Sequence, residues 1–441
     1  MKTFKIGGIH PEENKLAKNH AFEIFPLPQQ ATIFLGQHLG APATAIVEKG
    51  DQVKVGQLIG KAEAFICANI HSPFSGTVNK IDMVADITGY KKPAIVIDVQ
   101  GDEWCEYIDT TPELNAQITL DKQAIINRLK DCGIVGLGGA CFPTHVKYML
   151  PPDKKADFLL INAAECEPYI TTDYRLLLEK ADECIVGIEA LLIASEAPIA
   201  YIGIESNKPD AIRLLQQKLS NHPKIKVAPL RTKYPQGAEK QLIKAITGRE
   251  VPNGKLPIDA GCIVNNLTTT FAVYEAVQKN KPLISIFTTV SGKKVAEPRN
   301  FQVRIGTPIQ EILHTVGIPE NTGKIISGGP MMGKAITNTQ SFIVKGMSSL
   351  LMMDESESVR GEMSDCIRCG KCVSACPMGL EPYKLQRLAE LNRLEDCEAY
   401  GIMNCIECGC CQFTCPAFRP LLDFVRVGKN KTGAMIRNRK K

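Results

Sequence analysis

The spacing of apolar residues changes period several times along the chain, and each change marks a module. Residues 31–105 are short β-branched runs cut by glycines, and "TAIVEKGDQVKVGQLIGKAEAFICANIHSPFSGTVNKI" predicts strand, turn, strand, turn. From 110 to 280 helical spacing alternates with continuous apolar runs. "LDKQAIINRLKDCG" predicts a helix stopped by Gly133, "DFLLINAAE" and "APIAYIGIES" predict buried strands, and "PDAIRLLQQKLSNH" predicts an amphipathic helix. This alternation is that of an α/β domain. Residues 283–350 return to short strands and Gly turns around one helix, a small β-rich, β-grasp-like module. The polar stretch "DESESVRGE" then leads into a cysteine-dense region, 355–425. Between its cysteines, Tyr383, Leu385, Leu388, Leu391 and Leu394 fall near helical spacing, which predicts an α-helical ferredoxin-type domain. A lead segment, 1–30, and a basic tail, 426–441, complete a multidomain α/β and α+β chain.

Composition sharpens this picture in few places. A net charge of +5 over 441 residues is mild and does not by itself argue for a nucleic-acid partner, and none is expected. The stretch 184–204, the longest apolar run, is interrupted by Glu189, Glu196 and Pro198, so a buried helix followed by a strand is expected rather than a membrane span. The charged start "MKTFKIGGIHPEENK" has no leader-like apolar core. With seven basic residues and no acid, "VRVGKNKTGAMIRNRKK" is expected as a solvated end, or as a contact for an anionic surface or acidic partner.

Ten of the 17 cysteines lie between 366 and 415. Eight of them repeat one pattern, "CIRCGKCVSACP" and "CIECGCCQFTCP", with Cys397 and Cys410 outside it as spectators. Such a run suits a [4Fe–4S] cluster: three close thiolates reach three corners of the cube, and the fourth Cys of each run serves the other cluster. One cluster is therefore expected on Cys366, Cys369, Cys372 and Cys415, and a second on Cys405, Cys408, Cys411 and Cys376. A structural zinc site would instead favour two separated Cys pairs around one ion.

Three stretches of the α/β domain are candidates for the redox partner of these clusters. "GLGGACFPTHVK", 136–147, offers a Gly loop with Pro143 placed to open a helix, so that free N–H groups face a phosphate. A Rossmann fingerprint is excluded, because Cys141 stands where its third Gly belongs and a helix precedes the loop. "INAAECEPYITTD", 161–173, follows a strand, where α/β folds place ligands. Residues 234–277 run from a helix start at Gly237 to the pair Asn265–Asn266. His145 is expected on a helix surface, and Cys132, Cys141 and Cys166 as buried small residues.

Taken in order, these stretches resemble motifs of the FMN- and NADH-binding subunit of respiratory NADH dehydrogenase. The segment 31–105 resembles the barrel-sandwich fold of biotinyl and lipoyl domains, with Phe65 where those carriers place a modified lysine, so no swinging cofactor is expected. With "GGIHPEENK", "ISGGPMMG" and the double cysteine run, nearly the whole chain resembles the RnfC family of the Rnf ion-translocating electron-transport complexes. The resemblance implies that Gly136, Gly138 and Gly139 cradle the flavin phosphate and ring edge and that Lys147 pairs with the phosphate. It implies that Asn162, Glu165, Asn265 and Asn266 contact FMN and that Tyr234 and Gly237 line the pocket. Phe142, Glu167 and Glu239 would meet NADH. Leu137, Ala164 and Ala238 depart from the family motifs, and Glu165 has a second reading as a loop cap. The implied function is electron entry between NAD(H), FMN and two [4Fe–4S] clusters. The implied setting is peripheral, on membrane subunits at the cytoplasmic face, with an iron–sulfur subunit among the partners. A second reading keeps a cluster relay and scaffold with an inactive nucleotide domain.

Overall fold

The computed structural model describes residues 1–439. The lead segment is not a free arm. Its strand β1 (Phe22–Ile24) pairs in parallel with residues 300–302 of the third module. The chain then forms β2 (Gln30–Phe34), β3 (Thr44–Ala45), β4 (Gln52–Val53), β5 (Leu58–Lys61), β6 (Ile70–His71), β7 (Gly76–Ala85) and β8 (Lys91–Val99). An antiparallel sheet in the order β2-β8-β7-β4 faces the small sheet β3-β5-β6. Ile33, Val53, Ile59, Phe74, Val78, Ile95 and Ile97 fill the space between them. This is the expected barrel sandwich, and Phe65 stands exposed between β5 and β6.

The α/β domain starts with α1 (Lys122–Asp131), whose N-cap Asp121 accepts the Ala124 N–H. It continues as β9 (Phe158–Ala163), α2 (Thr172–Glu179), α3 (Ala181–Ser195), β10 (Ala200–Glu205), α4 (Pro209–Lys218), β11 (Ile225–Leu230), α5 (Glu239–Thr247), β12 (Cys262–Asn266) and α6 (Leu267–Lys279). The strands are parallel and ordered β11-β10-β9-β12. The chain steps outward from β9 to β11 and then returns to the far side of β9, so the strand order reverses between β9 and β12. In open α/β sheets, ligands bind at the carboxyl ends of the strands at such a switch point. The run 184–204 is indeed a buried helix followed by a strand.

The third module comprises β13 (Ser285–Ser291), β14 (Arg299–Arg304), α7 (Ile309–Val316), β15 (Thr322–Ser327), β16 (Lys334–Ala335) and β17 (Ser349–Asp354). Its sheet has the order β1-β14-β13-β17-β15-β16. It shares one hydrophobic core with the α/β domain, and the Phe271 and Phe287 rings meet edge to face at 5.4 Å.

The cysteine region carries α8 (Glu355–Ser358), α9 (Lys371–Ala375), α10 (Pro382–Glu390), α11 (Leu394–Ala399), α12 (Cys410–Phe413) and α13 (Leu421–Arg439). The stretch with helical spacing forms two helices, α10 and α11, separated at Asn392, which is left-handed at φ 54°, and Tyr383 and Leu391 are exposed. One expectation is corrected here. The basic tail is the body of α13. Leu421, Leu422, Val425, Gly428 and Thr432 are buried, Arg426 and Lys429 pair with Glu407, and Arg439 pairs with Glu398. Arg426, Lys429 and Arg439 thus tie the helix to its own domain, while Lys431 and Arg437 stay exposed. Residues 440 and 441 lie outside the described residues. Cys397 is buried in the core of this domain, beside Leu385, Leu388, Ile402 and Val425.

Candidate functional site

The switch point is where most of the expected flavin residues meet. Asn162 lies near the end of β9 and Asn266 ends β12, and the two are register partners on adjacent strands. Asn266 caps α6 by accepting the Thr269 N–H and donates to Asp173 at 2.9 Å. Asn162 donates to the Gly237 carbonyl at 2.7 Å. Gly138 lies directly against Asn266: a Cβ there would come within 3.1 Å of the Asn266 Cβ. Gly139, at φ 120°, has nothing within 4 Å of such a Cβ. The loop is pinned at its base by hydrogen bonds between Gly136 and Phe142 and between Cys141 and Gly136. Leu137 donates its N–H to the Thr269 hydroxyl. The open space above Gly139, over the strand ends, leaves room for a phosphate beside the loop backbone.

Not all expected residues face that crevice. Adjacent strand residues point to opposite sides, so Asn265 is buried on the other face, bonded to the Tyr148 hydroxyl. Lys147 donates to the Val264 carbonyl at 2.7 Å, with its pKa lowered by burial against the opposing pull of Glu239. Glu165 caps α2, accepting the Asp173 N–H at 2.6 Å. Glu167 accepts the N–H groups of Met331 and Met332, in the "ISGGPMMG" loop of the third module, and burial pushes its pKa up to about 7. Pro143 opens only a short 3-10 turn, Thr144–Tyr148. His145 is buried rather than on the surface, and burial and then Lys130 push its pKa down to about 4. Cys132 is buried as expected, whereas Cys141 and Cys166 are only half-buried. Sequence reasoning passed over Asp173, although it closes the "YITTD" stretch. It is buried, accepts from Asn266 and Thr268, and has a pKa raised to about 7 by burial and then by Glu165.

The cysteines form two matched loops. Arg368 and Glu407 have φ 56° and 58°, and Gly370 and Gly409 have φ 73° and 78°. Each loop therefore curls the same way before its short helix. Cys376 from the first run lines one cavity together with Cys405, Cys408 and Cys411 from the second. These four thiols, drawn from both runs, are the ones the crossed arrangement would place on one cluster. Burial raises the Cys372 pKa, and the thiols of Cys415 and Cys366 add to the shift, so these three thiols of the other expected set lie near one another. Among the described residues, no three His, Cys, Asp or Glu side chains are disposed around a single ion.

The two sites abut. Tyr234 donates its hydroxyl to the Cys408 carbonyl at 2.8 Å. Ile9, Tyr234, Ala375, Cys408 and Cys410 form a small core, with Cys166 and Met331 packed against it. Gly237, three residues after Tyr234, donates to the Cys166 sulfur at 3.3 Å.

A nucleotide-type switch crevice packed against a thiol-lined ferredoxin fold defines an iron–sulfur flavoprotein of electron transport. Family models agree module by module. They match an RnfC barrel sandwich hybrid domain at 2–102, a Nuo51 FMN-binding domain at 129–275, an SLBB domain at 287–335 and a 4Fe-4S binding domain at 362–380. The chain is 44% identical to the RnfC-type component of the proton-translocating ferredoxin:NAD(+) oxidoreductase complex of Clostridium ljungdahlii, over 98% of this chain and 95% of that one. It is 40% identical to the corresponding component of the Na(+)-translocating complex of Acetobacterium woodii, over 99% and 98%. The chain belongs to the RnfC family of ion-translocating ferredoxin:NAD(+) oxidoreductase complexes. A solved NAD+-reducing [NiFe]-hydrogenase in the H2-reduced state shares the fold at a TM-score of 0.52 and 19% identity, covering 71% of this chain and 63% of that one. The second cysteine run lies beyond the 4Fe-4S match and is joined to the first by the shared cavity.

Proposed function

We propose that this chain is the electron-entry subunit of its complex, moving electrons between NAD(H), FMN and two [4Fe–4S] clusters. The observation that carries this reading is the junction at Tyr234, where one short loop touches both the switch crevice and the Cys408 backbone. FMN held in the crevice supplies the exchange between hydride, a two-electron unit, and single electrons. The chain's own part is to hold, orient and insulate. Gly136, Gly138 and Gly139 admit the phosphate close to backbone N–H groups, and Asn162 and Asn266 define the floor. Phe142, Glu167 and Glu239 offer a stacking face and acceptors to the dinucleotide. The core around Ile9 and Tyr234 keeps water out of the gap toward Cys376, Cys405, Cys408 and Cys411. Cys366, Cys369, Cys372 and Cys415 hold the other cluster, with Cys366 and Cys369 exposed toward an iron–sulfur partner.

No helix of the described residues is long and apolar enough to cross a membrane. Attachment is peripheral, on membrane subunits at the cytoplasmic face where NADH is available. Stopped-flow mixing of the reconstituted protein with NADH should bleach its flavin absorbance. Bound FMN that stays unbleached would refute the nucleotide part of the reading. Intact clusters with no FMN uptake would point instead to a relay and scaffold role.

A further inference from the structure

The lead segment has no chemistry of its own in the proposed function, yet one of its side chains reaches deep into the nucleotide end of the α/β domain. Lys15 is nearly buried, with a side chain 12% exposed. Its ammonium donates to the carbonyls of Glu165 at 2.8 Å, Glu167 at 2.9 Å and Ile170 at 2.6 Å. An ammonium has three donors, and here each has its own acceptor. A second buried lysine, Lys208, donates to the Ala164 carbonyl at 2.8 Å. The lead segment grips the same loop through its backbone, since Tyr169 donates its N–H to the Glu13 carbonyl at 2.9 Å.

The gripped loop, 164–171, is not one the chain adopts by default. Glu165 and Tyr169 are both left-handed, at φ 50° and 69°. Non-glycine residues hold that conformation only where their surroundings impose it. Turning four carbonyls inward toward two ammonium groups supplies that imposition. The loop also carries two carboxylates with defined tasks. Glu165 caps α2, and Glu167 bonds the Met331 and Met332 N–H groups across the module boundary. Gly329 leaves no slack there, since a Cβ on it would fall 2.1 Å from the Glu167 carboxylate.

We infer that Lys15 is a positioning residue for the dinucleotide side of the site: from the lead segment, its ammonium sets the 164–171 loop and thereby the placement of Glu167. This rests on the proposed NAD(H) reading.

The test uses full-length protein loaded with FMN and clusters. Lys15→Met keeps the stem but removes all three donors. The KM for NADH should rise about tenfold, the scale of one hydrogen bond to the dinucleotide lost when the loop shifts. In the same protein kcat, FMN content and iron content should stay near wild type. Amide exchange of peptides covering 164–171 should accelerate, while peptides covering 366–377 stay protected. Lys15→Arg retains charge but presents a planar fork rather than a tetrahedral head, so its KM should fall between the two. If Lys15→Met does not accumulate as folded protein, Lys15→Arg decides alone. A wild-type KM and wild-type loop exchange overturn the inference, as does a variant whose kcat, FMN and iron fall together. Wild-type protein that neither binds nor oxidises NADH would refute the functional reading and the inference with it. Wild-type turnover with unchanged variants would refute only the inference.

Discussion

Gly7→Ala probes the seam between the lead segment and the cluster cavity nearest the switch crevice. Gly7 is left-handed at φ +64°, and a Cβ there would fall 2.4 Å from the carbonyl carbon and oxygen of Cys376 and 2.7 Å from the Pro377 nitrogen. Ordinary contact begins at 3.4 Å, so 3.4 − 2.4 means that backbone on one side must retreat by 1.0 Å. Part of the cost is conformational, about 1–2 kcal/mol for a left-handed alanine. Overpacking adds about 1–3 kcal/mol. What moves carries Cys376, and a ligand displaced on that scale no longer reaches its corner of the cube. Gly248→Ala is the matched control: it is left-handed at φ +76°, but nothing lies within 4 Å of its added Cβ, so only the conformational cost remains. The assay is iron and acid-labile sulfide per chain, with thermal unfolding alongside. Gly248→Ala should keep its full complement of about eight irons, the content of two [4Fe–4S] clusters. Gly7→Ala should fall toward about four. Equal iron and equal midpoints in the two variants would refute the seating of the lead segment on Cys376.

Three further outcomes follow from the same geometry. Crossed ligation predicts that Cys376→Ala and Cys405→Ala empty the same cavity, so the double variant loses no more iron than either single one; loss of both clusters in the double variant would show uncrossed runs. Tyr234→Phe removes the buried hydroxyl donated to Cys408 and leaves that carbonyl unpaired, which should lower stability to urea by about 1–3 kcal/mol; an unchanged midpoint would contradict it. Asp173 has a folded pKa of about 7 against an ordinary 3.8, so between those values the folded state holds a proton that the unfolded state has released. Its contribution therefore falls as pH rises through that window. Asp173→Asn should be less destabilising relative to wild type at pH 7.5 than at pH 5.5 in urea unfolding, and an equal penalty at both would rule out the shift.

Local chemistry explains which features could be read from the chain. The cysteine spacing was legible because three thiolates on a short loop are a local requirement, and the loop geometry repeats residue for residue at Arg368–Gly370 and Glu407–Gly409. The parallel strands were legible because burial on both faces writes continuous apolar runs. The pair Asn265–Asn266 shows where this kind of reading stops. Two neighbouring asparagines look equivalent in a motif, but strand alternation sends Asn266 to the crevice and Asn265 to Tyr148. His145 escapes a local reading for a related reason. Its segment is a short 3-10 turn pressed into the domain, and the exposure of such a turn is decided by what packs on it.

The tail and the lead segment are governed by long-range pairing. A run of basic residues without an acid resembles a solvated end, but the partners of Arg426, Lys429 and Arg439, Glu407 and Glu398, lie earlier in the same domain. The first 24 residues contain no periodic pattern, because their contacts are with five different surfaces. Lys2 bridges to the edge of β11, Gly8 donates its N–H to the Ala375 carbonyl of the cysteine region, Ile9 pairs with Tyr234, Lys15 enters the 164–171 loop and β1 extends the third module. A segment that belongs to no single core carries no single period. Its importance is visible only where positive-φ glycines and a buried lysine coincide, and "GGIHPEENK" has both within nine residues. If the lead segment sets both the Cys376 backbone and the Glu167 loop, then Gly7→Ala and Lys15→Met should damage opposite ends of the same electron path. The first should cost iron and the second NADH affinity, and neither should reproduce the other's defect.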